Sequence, residues 1–225
     1  MLTESAIEQF IAKYVKDGDV VSIGTNHIGE KFLVKLAIAL EHEHIPINQI
    51  KFVPTSHRLA AIASQLGMEM TSLNDDEIDV AFEFVDQIDN DFNFIKRNSY
   101  SLVRDKMIAQ SAATLVAITE QANSGKMLQG RVPFEISSFG WRRTVNQLEM
   151  FGNARLRMEK ATPAKTESGN YLADVNIDGI FSLEDVEYKS KEIPGVLETG
   201  LFIGYADKIV IHNKKIQVLS RMEYK

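Results

Sequence analysis

Two carboxylates stand three residues apart in Glu83-Phe84-Val85-Asp86, at the end of the apolar run Ile78-Asp79-Val80-Ala81-Phe82. Such a pair can divide proton donation and proton acceptance between its members, and the carboxyl end of a buried strand is where open α/β sheets hold ligands. Taken alone, the pair reads first as a solvated acidic turn. Downstream, Lys96 follows the apolar pair Phe94-Ile95 and precedes Arg97-Asn98-Ser99, a place from which its cation can sit beside the carboxylates. A third carboxylate, Asp105, lies between Arg104 and Lys106, and in isolation it belongs to an exposed charged helix face. Gly24-Thr25 joins an apolar strand to a helix, where backbone N–H groups and the helix dipole favour an anion such as phosphate. The turn lacks the Walker spacing and the three-glycine dinucleotide pattern, and turns of this kind as often only reverse the chain. His27 within it reads as a ligand contact or, more simply, as a surface residue.

Composition narrows the chemistry. The 225 residues include no Cys, which removes thiolate metal sites, disulfides and a Cys nucleophile, and suits a reducing compartment. No His cluster has metal-ligand spacing, although carboxylates alone leave a divalent ion open. The formal net charge of -6 makes a poor general binder of phosphate backbones. Met1-Leu2-Thr3-Glu4-Ser5 does not open like a signal peptide, and no apolar stretch is long enough to span a bilayer. A cytoplasmic protein is expected, with neither nucleic acid nor membrane as partner.

The elements that must position these residues follow from periodicity. Thr3 reads as a helix cap, with Ile7, Phe10, Ile11, Tyr14 and Val15 at helical spacing. Val20 to Ile23 is a short buried strand, and a helix carrying Phe32, Leu33, Leu36 and Leu40 follows the Gly24 turn. Ile50 to Val53 reads as a strand, Ser56 caps a helix to Leu66, and Ile78 to Phe82 is another strand. A helix from about Ser101 to Ala112 leads into the strand Thr114 to Ile118. Near-continuous apolar runs alternating with helices imply a parallel sheet covered on both faces. After about Lys126 the texture changes to strands Val132 to Ser137, Ala154 to Met158 and Tyr171 to Val175, with helices from about Trp141 to Phe151 and from Ser182 to Ile193. Ile209-Val210-Ile211 and Ile216 to Leu219 flank the turn His212-Asn213-Lys214-Lys215 and read as a closing hairpin returning to the first sheet. The expected organisation is therefore an α/β domain of residues 1–126 and 205–225 and a small α+β domain of residues 127–204.

Taken in order, several blocks resemble the A-type ribose-5-phosphate isomerases. They are Val20 to Gly24-Thr25, Pro54-Thr55-Ser56, Ile78 to Asp86, Ile95-Lys96 and Arg104-Asp105-Lys106. Val132-Pro133-Phe134-Glu135-Ile136 resembles the family's P-V-E-V block, and Thr166 to Tyr171 with Asp174 resembles its T-D-N-G-N block and the Asp after it. Ile193-Pro194-Gly195-Val196 with Gly200-Leu201-Phe202 resembles its P-G-V and G-L-F signature. The likeness runs collinearly over nearly the whole chain.

The resemblance implies a Rossmann-like large domain joined to a small α+β domain, assembled as a homodimer. It implies aldose–ketose isomerisation of ribose 5-phosphate and ribulose 5-phosphate through an enediolate, without metal or organic cofactor. The residues carry over unevenly. The family's G-T-G-S-T loop keeps Gly24 and Thr25 but has Asn26, His27 and Ile28, and its D-G-A-D-E block becomes Glu83-Phe84-Val85-Asp86-Gln87. Its K-G-G-G loop keeps Lys96 but continues Arg97-Asn98-Ser99, and the general-base Glu of R-E-K becomes Asp105. The substrate Lys of its D-x-S-K block falls opposite Asn123, with Lys126 nearby. By this likeness Asp105, Lys96, Asp86 and Glu83 are catalytic, and Gly24 to Ile28, Arg97, Asn98, Ser99 and Lys126 bind the sugar phosphate. The departures leave two further readings: an isomerase of another sugar or sugar phosphate, and a non-catalytic sensor of the same fold.

Overall fold

The computed structural model of the chain describes residues 11–119, 127–177, 182–212 and 216–221. Val20–Ile23 (β1) is buried at every position and pairs in parallel with Lys51–Val53 (β2) and with Ile78–Phe84 (β4). Strands covered on both faces must be apolar throughout, which is why β1 shows no alternation. The intervening helix His27–His42 (α1) buries Phe32, Leu33, Leu36 and Leu40, one stripe at helical spacing. Asn26 closes its first turn, the side-chain Oδ1 accepting the Gly29 N–H at 2.6 Å. Ser56 does the same for His57–Gln65 (α2), accepting the Leu59 N–H at 3.1 Å.

Glu69–Met70 (β3) adds to the edge at β2, and Ala112–Thr119 (β7) runs parallel to β4. Lys208–His212 (β15) then lies parallel to β7, and Ile216–Ser220 (β16) returns antiparallel along β15. The order across this seven-stranded sheet is β16-β15-β7-β4-β1-β2-β3. The closing pair thus rejoins the first sheet as its sequence suggests. Its core holds Ile23, Leu33, Leu36, Leu40, Phe52, Phe82, Val116 and Val210, each contributing roughly 1.5–3 kcal/mol by burial.

A four-stranded antiparallel sheet forms the centre of the second part. Its order is β13-β8-β12-β9, from Val196–Thr199 (β13), Gly130–Ile136 (β8), Tyr171–Ile177 (β12) and Asn153–Leu156 (β9). Trp141–Leu148 (α4) and Leu183–Lys191 (α5) accompany it, and Phe134, Ile136, Leu148, Ala173, Val175 and Val186 pack in one cluster. Two-residue strands Met158–Glu159 (β10) and Thr162–Pro163 (β11) form a small hairpin. A third sheet pairs Gln87–Ile88 (β5), Phe94–Ile95 (β6) and Leu201–Phe202 (β14) in the order β14-β6-β5. The helix Leu102–Ser111 (α3) then leads into β7.

The chain groups into two compact units: Met1–Phe84, Met107–Ala122 and Tyr205–Lys225 in one, Val85–Lys106 and Asn123–Gly204 in the other, each taken over its described residues. The sequence reading drew residues 85–106 into the first domain. They group instead with the second because β5 and β6 pair with β14, and the Lys96 N–H donates to the Gly200 carbonyl at 2.9 Å. No helix among the described residues is long and apolar enough to cross a membrane. Thr3, Ile7 and Phe10 of the first expected helix, the expected site residue Lys126 with Asn123, and the turn Asn213-Lys214-Lys215 lie outside the described residues.

Candidate active site

Within the first unit, the end of β4 and the turn after β1 are fitted to each other. The Gly24 N–H donates to the Phe82 carbonyl at 2.9 Å, and Glu83 is fully buried. A β-carbon built on Gly24 would fall 1.9–2.3 Å from the carboxyl atoms of Glu83. Only glycine lets that carboxylate lie against the turn. Thr25 and Asn26 are buried, whereas His27 and Ile28 are exposed at the start of α1. One amide of this helix start is already taken by Asn26. Glu30 in the same first turn is also buried, with its Oε2 2.8 Å from Arg58 Nε.

Within the second unit, three expected site residues meet around one loop. Asp86 clasps it: Oδ2 accepts the Arg97 N–H at 2.6 Å and Oδ1 accepts Asn98 Nδ2 at 3.3 Å. Lys96, at the end of β6, has no exposed surface, and its Nζ lies 2.5 Å from Oδ2 of Asp105 on α3. The same Oδ2 accepts the Ser99 hydroxyl at 2.7 Å. Asp105 is itself fully buried, so the exposed charged face suggested by Arg104-Asp105-Lys106 does not form at this position. Burying either ion alone would cost several kcal/mol, and the pair persists because each supplies the other's counter-charge. The strand carrying Lys96 is brought in closely. A β-carbon on Gly200 would meet the Lys96 carbonyl at 2.7 Å and the Pro133 ring at 2.5 Å.

Arg97 turns to the protein. Its Nε and one terminal nitrogen donate to the carbonyls of Arg131 and Gln129, at 2.9 and 2.8 Å. Burial holds its guanidinium below its ordinary pKa, with the charge of Arg131 adding to this and Asp86 working against it. Arg157, ion-paired with Asp174, donates to the Arg97 carbonyl at 3.1 Å, so the loop is held from both sides. Asn98 accepts from Arg131 at 3.1 Å.

Two anchors fix the helix that carries Asp105. Ahead of it, the buried Glu135 carboxylate accepts the Val103 N–H at 3.0 Å, Thr166 Oγ1 at 2.8 Å, Asn170 Nδ2 at 2.9 Å and Ser101 Oγ at 3.3 Å. A carboxylate at the first turn of a helix meets both its unpaired N–H groups and the positive end of its dipole. Behind it, Lys106 is buried among Glu187 at 3.0 Å, Glu198 at 2.8 Å and the Leu201 carbonyl. Burial works against the ionised Glu187, yet Lys106 and the hydrogen bonds from Lys191, Thr199 and Lys106 hold its carboxyl below the usual range. Among the described residues, no group of three or more His, Asp or Glu is placed to hold a metal ion.

A buried carboxylate with an ammonium against it is suited to moving a carbon-bound proton while the cation takes up charge developing on oxygen. Comparison with known proteins gives that arrangement its setting. The sequence pattern described as Ribose 5-phosphate isomerase A (phosphoriboisomerase A) matches residues 51–215. This chain belongs to the ribose 5-phosphate isomerase A family. It is 33% identical to the ribose-5-phosphate isomerase A 2 of Oceanobacillus iheyensis, over 95% of this chain and 96% of that one. It is 30% identical to the ribose-5-phosphate isomerase A of Thermococcus kodakarensis, over 92% and 93%. A D-ribose-5-phosphate isomerase solved in complex with phospho-erythronic acid superposes with a TM-score of 0.87 at 28% identity, covering 98% of this chain and all of that one. The ribose 5-phosphate isomerase A of Methanocaldococcus jannaschii superposes with a TM-score of 0.86 at 25% identity, covering 96% and 97%.

Of the site residues expected from the sequence, Asp86, Lys96 and Asp105 come together around one loop, held by groups that were not expected in the site. Glu135 was seen only as one letter of a motif. Its signal was a charge inside the apolar strand Val132-Pro133-Phe134-Glu135-Ile136, since a fully buried carboxylate is rare unless its oxygens are paired. Ser101 and Arg157 gave no comparable signal, because serines and arginines are common on surfaces.

Proposed function

We propose that the protein interconverts ribose 5-phosphate and ribulose 5-phosphate through an enediolate, with Asp105 as the proton-transfer base. The observation that carries this is the buried contact of Asp105 with Lys96, inside a chain of this family. Asp105 takes the C2 proton of the open-chain aldose, and the C1 carbonyl becomes an enediolate oxygen facing the Lys96 ammonium. The C2 hydroxyl proton passes to O1, and Asp105 returns its proton to C1, leaving the ketose. Atoms and charge balance without a co-reactant. Asp86 and Glu83 bind hydroxyls and assist ring opening, and the loop from Gly24 to Ile28, with Asn98 and Lys126, takes up the rest of the sugar phosphate. The likeness to the family supports these roles, as it supports a homodimer working in the cytoplasm.

The test is to follow ribose 5-phosphate by NMR in D2O with catalytic amounts of the protein. The expected result is ribulose 5-phosphate, with deuterium at C1 to the extent that the carboxyl proton exchanges with solvent before it returns. Substrate left unconverted, with the protein's melting temperature raised, would contradict an isomerase and leave a binding protein. One observation favours a second reading, an isomerase for another sugar: Asn26 occupies an amide at the start of α1, and Glu30 places a carboxylate in the same turn. Faster turnover of a different sugar in the same assay would select it.

A further inference from the structure

The likeness to the family assigns Ser99 to substrate binding, but its hydroxyl is engaged elsewhere. Ser99 is almost wholly buried, and its Oγ accepts the Ser101 N–H at 2.9 Å. An amide can only donate and a serine hydroxyl carries one proton. That proton is directed at Oδ2 of Asp105, 2.7 Å away. Ser101 is in turn held: its hydroxyl donates to Glu135, and its carbonyl accepts the Asp105 N–H at 3.0 Å. The path from Glu135 through Ser101 and Ser99 therefore ends on the carboxylate proposed as the base, and returns to the backbone of that same residue.

We infer that Ser99 is a positioning residue for Asp105: together with Lys96 it pins one carboxylate oxygen and so sets which way the other faces. The inference rests on the proposal that Asp105 transfers the proton. Its chemical sense lies in side-chain length. Asp105 is one methylene shorter than the glutamate of the family's R-E-K block, and Ser99 stands where that family's K-G-G-G loop has glycine. A short carboxylate reaches only what lies near its own helix, and the added hydroxyl fixes it there. Charged groups from several elements define the surroundings of this carboxylate. Lys96 faces it from the end of β6, and Glu135 on β8 lies beyond Ser101; on α3 itself, Arg104 is 3.7 Å from Glu167, and Lys106 binds Glu187 and Glu198.

The experiment compares wild type, Ser99→Ala, Ser99→Gly and Ser99→Thr in ribose 5-phosphate isomerisation, with circular dichroism confirming the fold. Losing the hydroxyl should lower kcat about tenfold or more, in keeping with the ~100-fold that a 1 Å misplacement can cost, while KM changes little. Ser99→Thr keeps the hydroxyl and should restore kcat. Ser99→Gly removes the same proton without a methyl, and it carries the comparison should Ser99→Ala fail to fold. An active wild type whose alanine and glycine variants keep its kcat would overturn the role of Ser99 alone. A folded wild type inactive on the sugar phosphate would overturn the isomerase reading, and this inference with it.

Discussion

At the scale of single residues, two positions where this chain departs from its family, Ser99 and Asp105, touch one another. Oδ2 of Asp105 lies 2.5 Å from Lys96 Nζ and 2.7 Å from Ser99 Oγ, so no space is left for a longer acid to extend in that direction. Asp105→Glu, which restores the family's residue, should therefore lower kcat by about tenfold, because the carboxylate is pushed off its partners. Adding Ser99→Gly should recover most of the loss, giving a strongly non-additive pair, as residues in direct contact show. Steady-state rates of the two single variants and the double variant measure this. Additive losses would mean that the two positions are not coupled. The types of the acid and the cation were legible in the sequence. Their contact was not, since eight residues and a change of element separate Lys96 from Asp105 and only the folded chain brings them together.

At the scale of elements, the long periodic segments were readable and the short ones were not. α1 announces itself by Phe32, Leu33, Leu36 and Leu40 behind the Asn26 cap, and β1 and β7 by unbroken apolar runs. β5, β6 and β14 are two residues each, too short for any period, and they acquire strand geometry only from each other. That sheet carries Lys96, and for this reason the sequence placed the lysine in the wrong part of the molecule. α3 depends on Glu135 in a similar way, for its first turn is closed by a carboxylate from β8 and not by a local cap alone. Glu135→Gln turns an acceptor of four hydrogen bonds into a group with a donor of its own. It should destabilise the protein by about 2–3 kcal/mol, as loss of bonds to a buried charged group does. A thermal melt should fall by roughly 5–10 °C. An unchanged melting temperature would remove Glu135 as the anchor of the helix.

At the scale of the whole molecule, the chain passes between its two units and comes back. The first holds the mainly parallel sheet closed by β15 and β16, the second the antiparallel sheet and the loop with Lys96 and Asp105. The return of the closing strands was legible because Ile209, Val210 and Ile211 form an apolar run, now buried in parallel against β7. The passage of residues 85–106 into the second unit was not, because the chain carries no composition change there. The claim on which everything depends is that this molecule turns a sugar phosphate over with Asp105 as its base. The most direct measurement is isomerisation of ribose 5-phosphate beside its binding affinity, for wild type and Asp105→Asn. The amide keeps the shape of the side chain and cannot accept the proton. It also removes the counter-charge of the buried Lys96, so both assays belong well below the variant's melting temperature. The expected result is an active wild type and a variant that binds comparably but turns over at least about 100-fold more slowly. Undiminished turnover in Asp105→Asn, or a folded wild type that binds the sugar phosphate without converting it, would contradict it.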